Sequence, residues 1–158
     1  MTKQLILLLA VAGLMFGADP AQYACKADTD VATTARAVTV QQAAGSGYIT
    51  KALWGKVYCE NACVVTTKRD GTAATATAGT MQPVNDGTGT ATNKCWITSD
   101  VGAGTTVDTD LVAAGTTVYF DLSPYILDGT TTANNLTLST DSISDRAILT
   151  IFVREEGR

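Results

Sequence analysis

A succession of short β-strand patterns cut by tight turns is the feature that most constrains this chain. Across residues 35–154, runs rich in Val, Thr and Ala alternate with Gly, Asp and Asn, and no helical period interrupts them. Val118 and Phe120 interleave with Tyr119 and Asp121, a pattern typical of a strand with one buried and one wet face. About eight strands at this spacing predict an all-β sandwich or barrel of one domain.

The predicted strands and turns define an order along the chain. The segment 79–93 is Gly-rich and predicts a crossover loop, as in a Greek-key or jelly-roll connection. Asp70-Gly71 predicts a two-residue hairpin between the third and fourth strands. The last strand is apolar on both faces, which predicts a central position or burial under a neighbouring subunit. The predicted strands are 36–42, 48–59 (bent near Gly55), 63–69, 72–78, 94–98, 106–111, 116–122, 135–139 and 147–154.

The N-terminal part divides into two further segments. Residues 1–18 contain a wholly apolar run from Leu5 to Phe16 after a single lysine, which is typical of a secretory signal peptide and is too short to span a bilayer comfortably. The alternative is a retained apolar arm that packs into a neighbour. Residues 19–34 are small and polar and predict a linker or arm, and residues 35–158 form the sandwich domain. The candidate interface residues of the apolar run are Leu5, Leu8, Leu9, Leu14 and Phe16.

Four cysteines, an even count, are compatible with disulfides outside the cytoplasm. Cys59 and Cys63 flank three residues that resemble a hairpin loop, and residues closing such a loop lie within bridging distance. The partners of Cys25 and Cys95 stay open, because three pairings are possible. Buried free thiols are the second reading. A zinc site is the weakest, because it requires paired C-x-x-C knuckles and the chain has a single C-x-x-x-C.

The composition excludes several classes of function. With no histidine in the sequence, Ser-His-Asp and Cys-His catalysis are impossible. The carboxylate pairs, such as Asp108/Asp110 and Glu155/Glu156, lie in polar loops or at the chain end and predict solvated side chains. A net charge of −4 argues against nucleic-acid binding. We therefore expect no enzyme activity, no cofactor and no metal.

Two sets of apolar residues are candidate contact sites. Trp54, Tyr58 and Trp96 are candidate ligand-binding aromatics, with core packing as the ordinary alternative. Tyr125 and Ile126 lie in an apolar loop between two strands, which indicates core plugging or subunit contact.

Several stretches resemble the jelly-roll virion proteins of bacteriophages, which include decoration proteins, minor capsid proteins and tail or spike modules. The resemblance covers residues 35–156 and rests on composition and strand order. It implies a β-sandwich that forms homo-oligomers, often trimers, and docks on a major capsid or other lattice protein. The stretches that carry it are Val38-Thr39-Val40, Tyr58-Cys59 with Cys63, Lys68-Arg69-Asp70-Gly71-Thr72-Ala73, Val118-Tyr119-Phe120-Asp121-Leu122 and the closing strand from Ile148 to Glu155.

The sequence therefore favours a non-enzymatic structural subunit of an extracellular assembly, with a capsid decoration or minor capsid protein of a virion as the first choice. Its location would be a virion or the cell surface, with membrane contact limited to transient contact of residues 1–18. The alternatives are a secreted filament subunit and a secreted carbohydrate- or ligand-binding module. Cleavage of residues 1–18, the oligomeric symmetry and the identity of any ligand stay open.

Overall fold

The computed structural model describes residues 20–29, 37–72, 76–85, 91–98, 103–129, 134–141 and 145–157. This part of the chain contains strands and irregular links and no helix, so the all-β prediction is confirmed. None of these residues belongs to a helix that could cross a membrane. The predicted segment 1–18 lies outside the described residues.

The described residues form twelve strands in two antiparallel sheets, whereas the sequence predicts about eight. Sheet A has the order β10-β3-β12-β1-β6, and β9 also pairs with β3, beside β10. Its strands are β1 (Gln22–Thr29), β3 (Tyr48–Cys59), β6 (Met81–Pro83), β9 (Thr116–Asp121), β10 (Ile126–Leu127) and β12 (Ala147–Gly157).

Sheet B has the order β5-β7-β2-β11-β4-β8. Its strands are β2 (Ala37–Gln42), β4 (Cys63–Thr72), β5 (Ala76–Ala78), β7 (Lys94–Thr98), β8 (Ala103–Val112) and β11 (Asn134–Thr140).

The two sheets pack face to face as a β-sandwich around an aliphatic core. Strand β12 lies between β3 and β1, which confirms the predicted central position. Its residues Leu149, Ile151 and Val153 are fully buried, and they meet Leu136 and Leu138 of β11 in the core. Since successive side chains in a strand point to opposite faces, the alternate residues of β12 lie on the outer face of sheet A.

A β-bulge divides β3 near the predicted bend. The register with β12 passes from Trp54 opposite Phe152 to Ala52 opposite Val153, so Leu53 is the extra residue. Gly55 then faces the core, where an added Cβ would lie 2.7 Å from Leu138 Cδ1. Glycine is therefore required at this position by packing. The bulge also keeps Trp54 on the outer face, beside its partner Phe152.

The predicted hairpin at Cys59 and Cys63 is wrong, although the disulfide between them is present. Cys59 ends β3 in sheet A and lies opposite Ala147, whereas Cys63 begins β4 in sheet B and lies opposite Val112. The intervening residues therefore carry the chain from one sheet to the other. Each cysteine finds its strand partners elsewhere in the sequence, so local spacing does not distinguish this arch from a hairpin.

The Asp70-Gly71 hairpin is also wrong. Strand β4 continues through Asp70, and its register with β8 shifts between Arg69 and Thr72. Asp70 adopts the left-handed conformation with φ of 55°, which suits a bulge as well as a turn. Of the expected return strand 72–78, residues 76–78 form β5, which pairs with β7 instead of β4, and residues 73–75 lie outside the described part of the chain.

Two segments predicted as links contain strands of sheet A. Residues 22–29, within the predicted linker or arm, form β1 between β12 and β6, with Tyr23, Cys25 and Ala27 buried. The crossover segment 79–93 contains β6. Small and charged residues hide the alternation of β1 in the sequence, and its position depends on the neighbouring β12.

One end of the interior is polar. Glu155 is 8% exposed, contrary to the predicted solvated carboxylate. Its carboxylate accepts hydrogen bonds from the backbone N–H groups of Thr92 and Asn93 and from the Thr92 hydroxyl. These bonds tie the end of β12 to the segment before β7, and they satisfy a buried charge that would otherwise be costly.

Candidate contact surface

The outer face of sheet A carries an apolar patch on four strands, which we call the aromatic face. Its residues alternate with buried ones on β3, β9, β10 and β12. Tyr119 is 62% exposed, Ile126 is 56% exposed and Trp54 is 37% exposed. Exposed apolar surface of this kind on one face commonly marks an interaction site. The aromatic face consists of Trp54, Tyr58, Tyr119, Ile126, Ile148 and Phe152.

Three of the four aromatic rings of this face interact across neighbouring strands. Trp54 stacks on Phe152 of β12 with ring centroids 3.6 Å apart and planes 17° apart. On the other side of β3, Tyr119 of β9 lies 5.7 Å from Trp54 at an interplanar angle of 52°. The indole therefore lies between two neighbours and presents mainly its rim to solvent. The three rings together form a ridge in place of a set of open ring faces.

The charged side chains at one end of the aromatic face are held in ion pairs. Glu156 binds both Lys51 and Arg154, each at 2.8 Å. The hydrogen bond from Lys51 is the main reason that the pKa of Glu156 lies below its usual range. The carboxylate thus stays ionised and keeps both cations engaged.

Asp28 plays the same part at the other end of the face. Its carboxylate accepts two hydrogen bonds from Arg146, both at 3.0 Å, and lies 3.4 Å from Lys26. The Arg146 bond is the main cause of a lowered pKa for Asp28. Within the described part of the chain, Lys56 has no such partner, and it lies between Trp54 and Tyr58 along β3 and opposite Tyr119.

The structure separates the three predicted ligand aromatics. Trp54 and Tyr58 share the aromatic face, but Trp96 lies on the outer face of sheet B, since it pairs with Thr39 and alternates with the buried Cys95. The Trp96 indole donates a hydrogen bond to Gln41 Oε1 at 2.9 Å. A single patch containing all three aromatics therefore does not form.

The predicted interface residues also separate. Ile126 joins the aromatic face opposite Lys51, whereas Tyr125 packs against the core. Leu5, Leu8, Leu9, Leu14 and Phe16 lie outside the described residues. Sequence reasoning missed Ile148 and Phe152 as members of this surface, although their alternation with buried residues was a usable signal once the strand order was known.

A groove of about 460 Å³ opens beside β5 and β6. Tyr23, Met81, Pro83, Asn93 and Trp96 are among its lining residues, and Cys95 forms part of its floor. Burial is the main reason that the pKa of Tyr23 is raised, with a further contribution from Glu155. This phenol therefore stays neutral at physiological pH.

Both disulfides join sheet A to sheet B. Cys25 of β1 is bonded to Cys95 of β7, and Cys59 of β3 is bonded to Cys63 of β4. All four residues are buried in the core. Two such bonds are typical of proteins that fold in an oxidising, extracellular environment.

Among the residues that the structure describes, no group of three or more acidic or cysteine side chains is arranged to hold a metal ion. Three described carboxylates lie around the aromatic face: Glu156 and Asp28 are held in ion pairs, and Asp121 accepts hydrogen bonds from Ser123 that lower its pKa. Comparison with protein-family models, with curated proteins and with solved structures finds no match to this chain.

Proposed function

We propose that this chain is a non-enzymatic structural subunit of an extracellular assembly, with a capsid decoration or minor capsid protein of a virion as the first choice. The observation that carries the proposal is the aromatic face. A ridge of Trp, Tyr and Phe across β9, β3 and β12, with ion pairs at its two ends, resembles the apolar centre and polar rim of a protein–protein interface.

The strand pairing supports a jelly-roll architecture within the sandwich. Eight strands remain when the short β5, β6 and β10 are set aside together with β7, the neighbour of β5. The first of these pairs with the last (β1 with β12), and the second with the seventh (β2 with β11). The third pairs with the sixth (β3 with β9), and the fourth with the fifth (β4 with β8). This nested order is that of one long antiparallel hairpin rolled into two sheets, as in capsid jelly rolls.

The chemistry of the chain also favours a structural role. The sequence has no histidine for proton transfer, and the buried Glu155 is held by backbone N–H groups instead of facing a cleft. Disulfides joining the two sheets suit a particle that must survive outside a cell.

Electron microscopy of particles from the native source, with mass spectrometry of their proteins, tests the proposal. We expect the chain at a fixed ratio to the main lattice protein. A chain found only as dispersed molecules, absent from every particle, would overturn it.

A matched pair of variants links incorporation to the aromatic face. Tyr119→Ser removes an exposed ring from β9 and should abolish incorporation without changing the melting temperature. Tyr48→Ser, which removes another exposed tyrosine (41% exposed) from outside the aromatic face, is the control and should incorporate normally. Equal incorporation of both variants would separate the aromatic face from assembly.

The second candidate is a secreted carbohydrate-binding module, favoured by the exposed ring of Tyr119. Sugar rings stack on open aromatic faces, and the Trp54 indole is already covered on one face by Phe152. Titration of soluble glycans with tryptophan fluorescence distinguishes the two functions. Saturable quenching by a glycan would support the binding module, and unchanged emission would support the structural subunit.

A further inference from the structure

We infer that the aromatic face of one copy binds the edge strand β8 of a second copy, so that the chain forms a closed head-to-tail ring. This inference rests on the proposed structural role and names the contact that role would use. It follows from an unpaired charge on the face, from a complementary edge and from the angle between the two surfaces.

The aromatic face carries one charged side chain that lacks a described ion pair. Lys56 lies among the rings of the aromatic face without an ion pair in the described part of the chain, whereas Lys51 and Arg154 share Glu156. A partner that covers these rings removes water from the ammonium group of Lys56. It must therefore supply a carboxylate beside an apolar contact.

The edge strand β8 of the same chain offers such a surface. Strand β8 is the edge of sheet B, and Asp108, Asp110 and Leu111 are all exposed on it. Leu111 is 76% exposed, more than any other large hydrophobic residue of the described part of the chain. No described cation pairs with Asp108 or Asp110. The edge thus presents the carboxylates that Lys56 lacks, together with an apolar side chain that the rings can cover.

Two features of β8 oppose its pairing with the β8 strand of a second copy. Asp108 lies opposite Thr67 and Asp110 opposite Val65, both buried, so the two acids point toward the interior side of sheet B at its rim. The register with β4 also shifts between Thr67 and Lys68, which leaves a bulge at Val107. Inward-pointing charges and bulges are the devices that prevent edges from pairing with each other. The contact is therefore edge to face.

The angle between the two contact surfaces determines whether the copies close into a ring. Strands β8 and β9 are joined by a short turn and lie on the same side of the sandwich. The rim of sheet B and the outer face of sheet A consequently face directions roughly perpendicular to each other. A ring of three copies requires contact surfaces about 60° apart and a ring of four requires about 90°. The expected product is a ring of about three or four copies, because a fibre would need surfaces on opposite sides.

A charge exchange tests this contact by sedimentation velocity of the full disulfide-bonded chain over a range of concentrations. Lys56→Glu alone and Asp110→Lys alone should each weaken self-association by about tenfold or more. The double variant should return to within about threefold of the wild type, because it restores opposite charges across the contact. Lys94→Glu changes the charge equally at an exposed position outside both surfaces and should have no effect.

Leu111→Ser provides a second, charge-independent variant. It should weaken association to a similar degree. Val84→Ser, which changes a hydrophobic residue that is 50% exposed and lies outside both surfaces, should not. Unchanged thermal melting confirms that each variant is folded. A wild-type chain that stays monomeric up to about 1 mM, or an oligomer indifferent to these variants, would overturn the inference.

The outcomes also separate this inference from the proposed function. A chain that is present in particles but monomeric in solution would sink the ring and leave the structural role standing, with a lattice protein of another sequence on the aromatic face. Rings that form as expected, from a chain absent from all particles, would support the contact and sink the virion role.

Discussion

The two lateral sides of the sandwich are finished in different ways. On one side, which we call the closed side, the short strands β5 and β6 end the two sheets. The Cys25–Cys95 bond joins the sheets through the neighbouring strands β7 and β1. On the other, the open side, β8 and β9 leave edges of ten and six residues. Short edges and a proline, here Pro83 of β6, suppress further pairing. The closed side is thus built for stability and the open side for contact.

The two disulfides extend this comparison, since each lies nearer one side. Cys25 and Cys95 are 70 residues apart in the sequence, whereas Cys59 and Cys63 are 4 apart and lie on the strands next to β9 and β8. A cross-link that closes a longer loop removes more conformational entropy from the unfolded chain. The closed side therefore holds most of the covalent stabilisation.

The largest expected effect is the loss of the closed-side bond. The variant Cys25→Ala with Cys95→Ala should lower the free energy of unfolding by about 4 kcal/mol, as expected for a loop of this length. Denaturant unfolding monitored by tryptophan fluorescence measures it. A loss below about 1 kcal/mol would show that the short strands alone hold this side together.

The open-side bond should contribute less. Cys59→Ala with Cys63→Ala should cost about 2 kcal/mol in the same assay, because the loop that it closes is short. If this variant proved less stable than the closed-side variant, the loop-entropy account of the difference would be contradicted, and the arch between β3 and β4 would be the main structural constraint.

A packing change beside the closed-side bond should have a smaller effect. A Cβ at Gly79 would lie 2.8 Å from Cys95 Sγ and 3.3 Å from Ile97 Cγ1, so Gly79→Ala should destabilise the fold by about 1 kcal/mol through overpacking. Gly157→Ala is the control, as its nearest neighbour lies 4.0 Å away. Equal melting temperatures for the two variants would show that this segment moves freely away from the disulfide.

The smallest effect is a pH dependence at Asp28, whose hydrogen bond from Arg146 lowers its pKa from 3.8. A lowered folded pKa stabilises the fold at pH values above the unfolded pKa, and the contribution disappears as the pH falls through the folded value. Because the Arg146 and Asp28 side chains are 51% and 36% exposed, solvent screening limits the effect to less than about 1 kcal/mol.

Asp28→Asn provides the measurement. Its free energy of unfolding should be lower than that of the wild type at neutral pH, and it should approach the wild-type value as the pH falls below 3.8. A constant difference across this range would assign the effect to packing instead of charge. High salt should reduce the neutral-pH difference, as it does for exposed ion pairs.

Strand content followed from local patterns, and most of the predicted strands were confirmed within a few residues. Strands β3 and β7 begin and end where the alternation predicts, at Tyr48–Cys59 and Lys94–Thr98. Strand β1 was missed because small residues lie on both of its faces, Cys25 and Ala27 on the buried face and Ala24 on the outer one, so its apolar alternation is weak. Its hydrogen bonds come from β12, which lies more than a hundred residues away in sequence, so no local signal identifies it.

The candidate site divides in the same way. Each of Trp54, Tyr58 and Ile126 drew attention as a single residue, but only the strand order β10-β3-β12, with β9 beside β10, assembles them with Tyr119, Ile148 and Phe152. Trp96 has the same chemistry and lies on the other sheet. Residue type therefore indicates which side chains can form a contact, and strand pairing decides which of them share a surface.

The amino-acid sequence by itself determined the all-β class, the apolar character of the last strand, the absence of histidine chemistry and the capacity for disulfides. All of these depend on composition and on periodicity within a few residues. The tertiary structure alone decided the Cys25–Cys95 pairing, the passage of the chain between sheets at Cys59 and Cys63, and the aromatic face. The physical reason is that these features depend on contacts between strands far apart in sequence, whose partners are chosen by burial of the whole core.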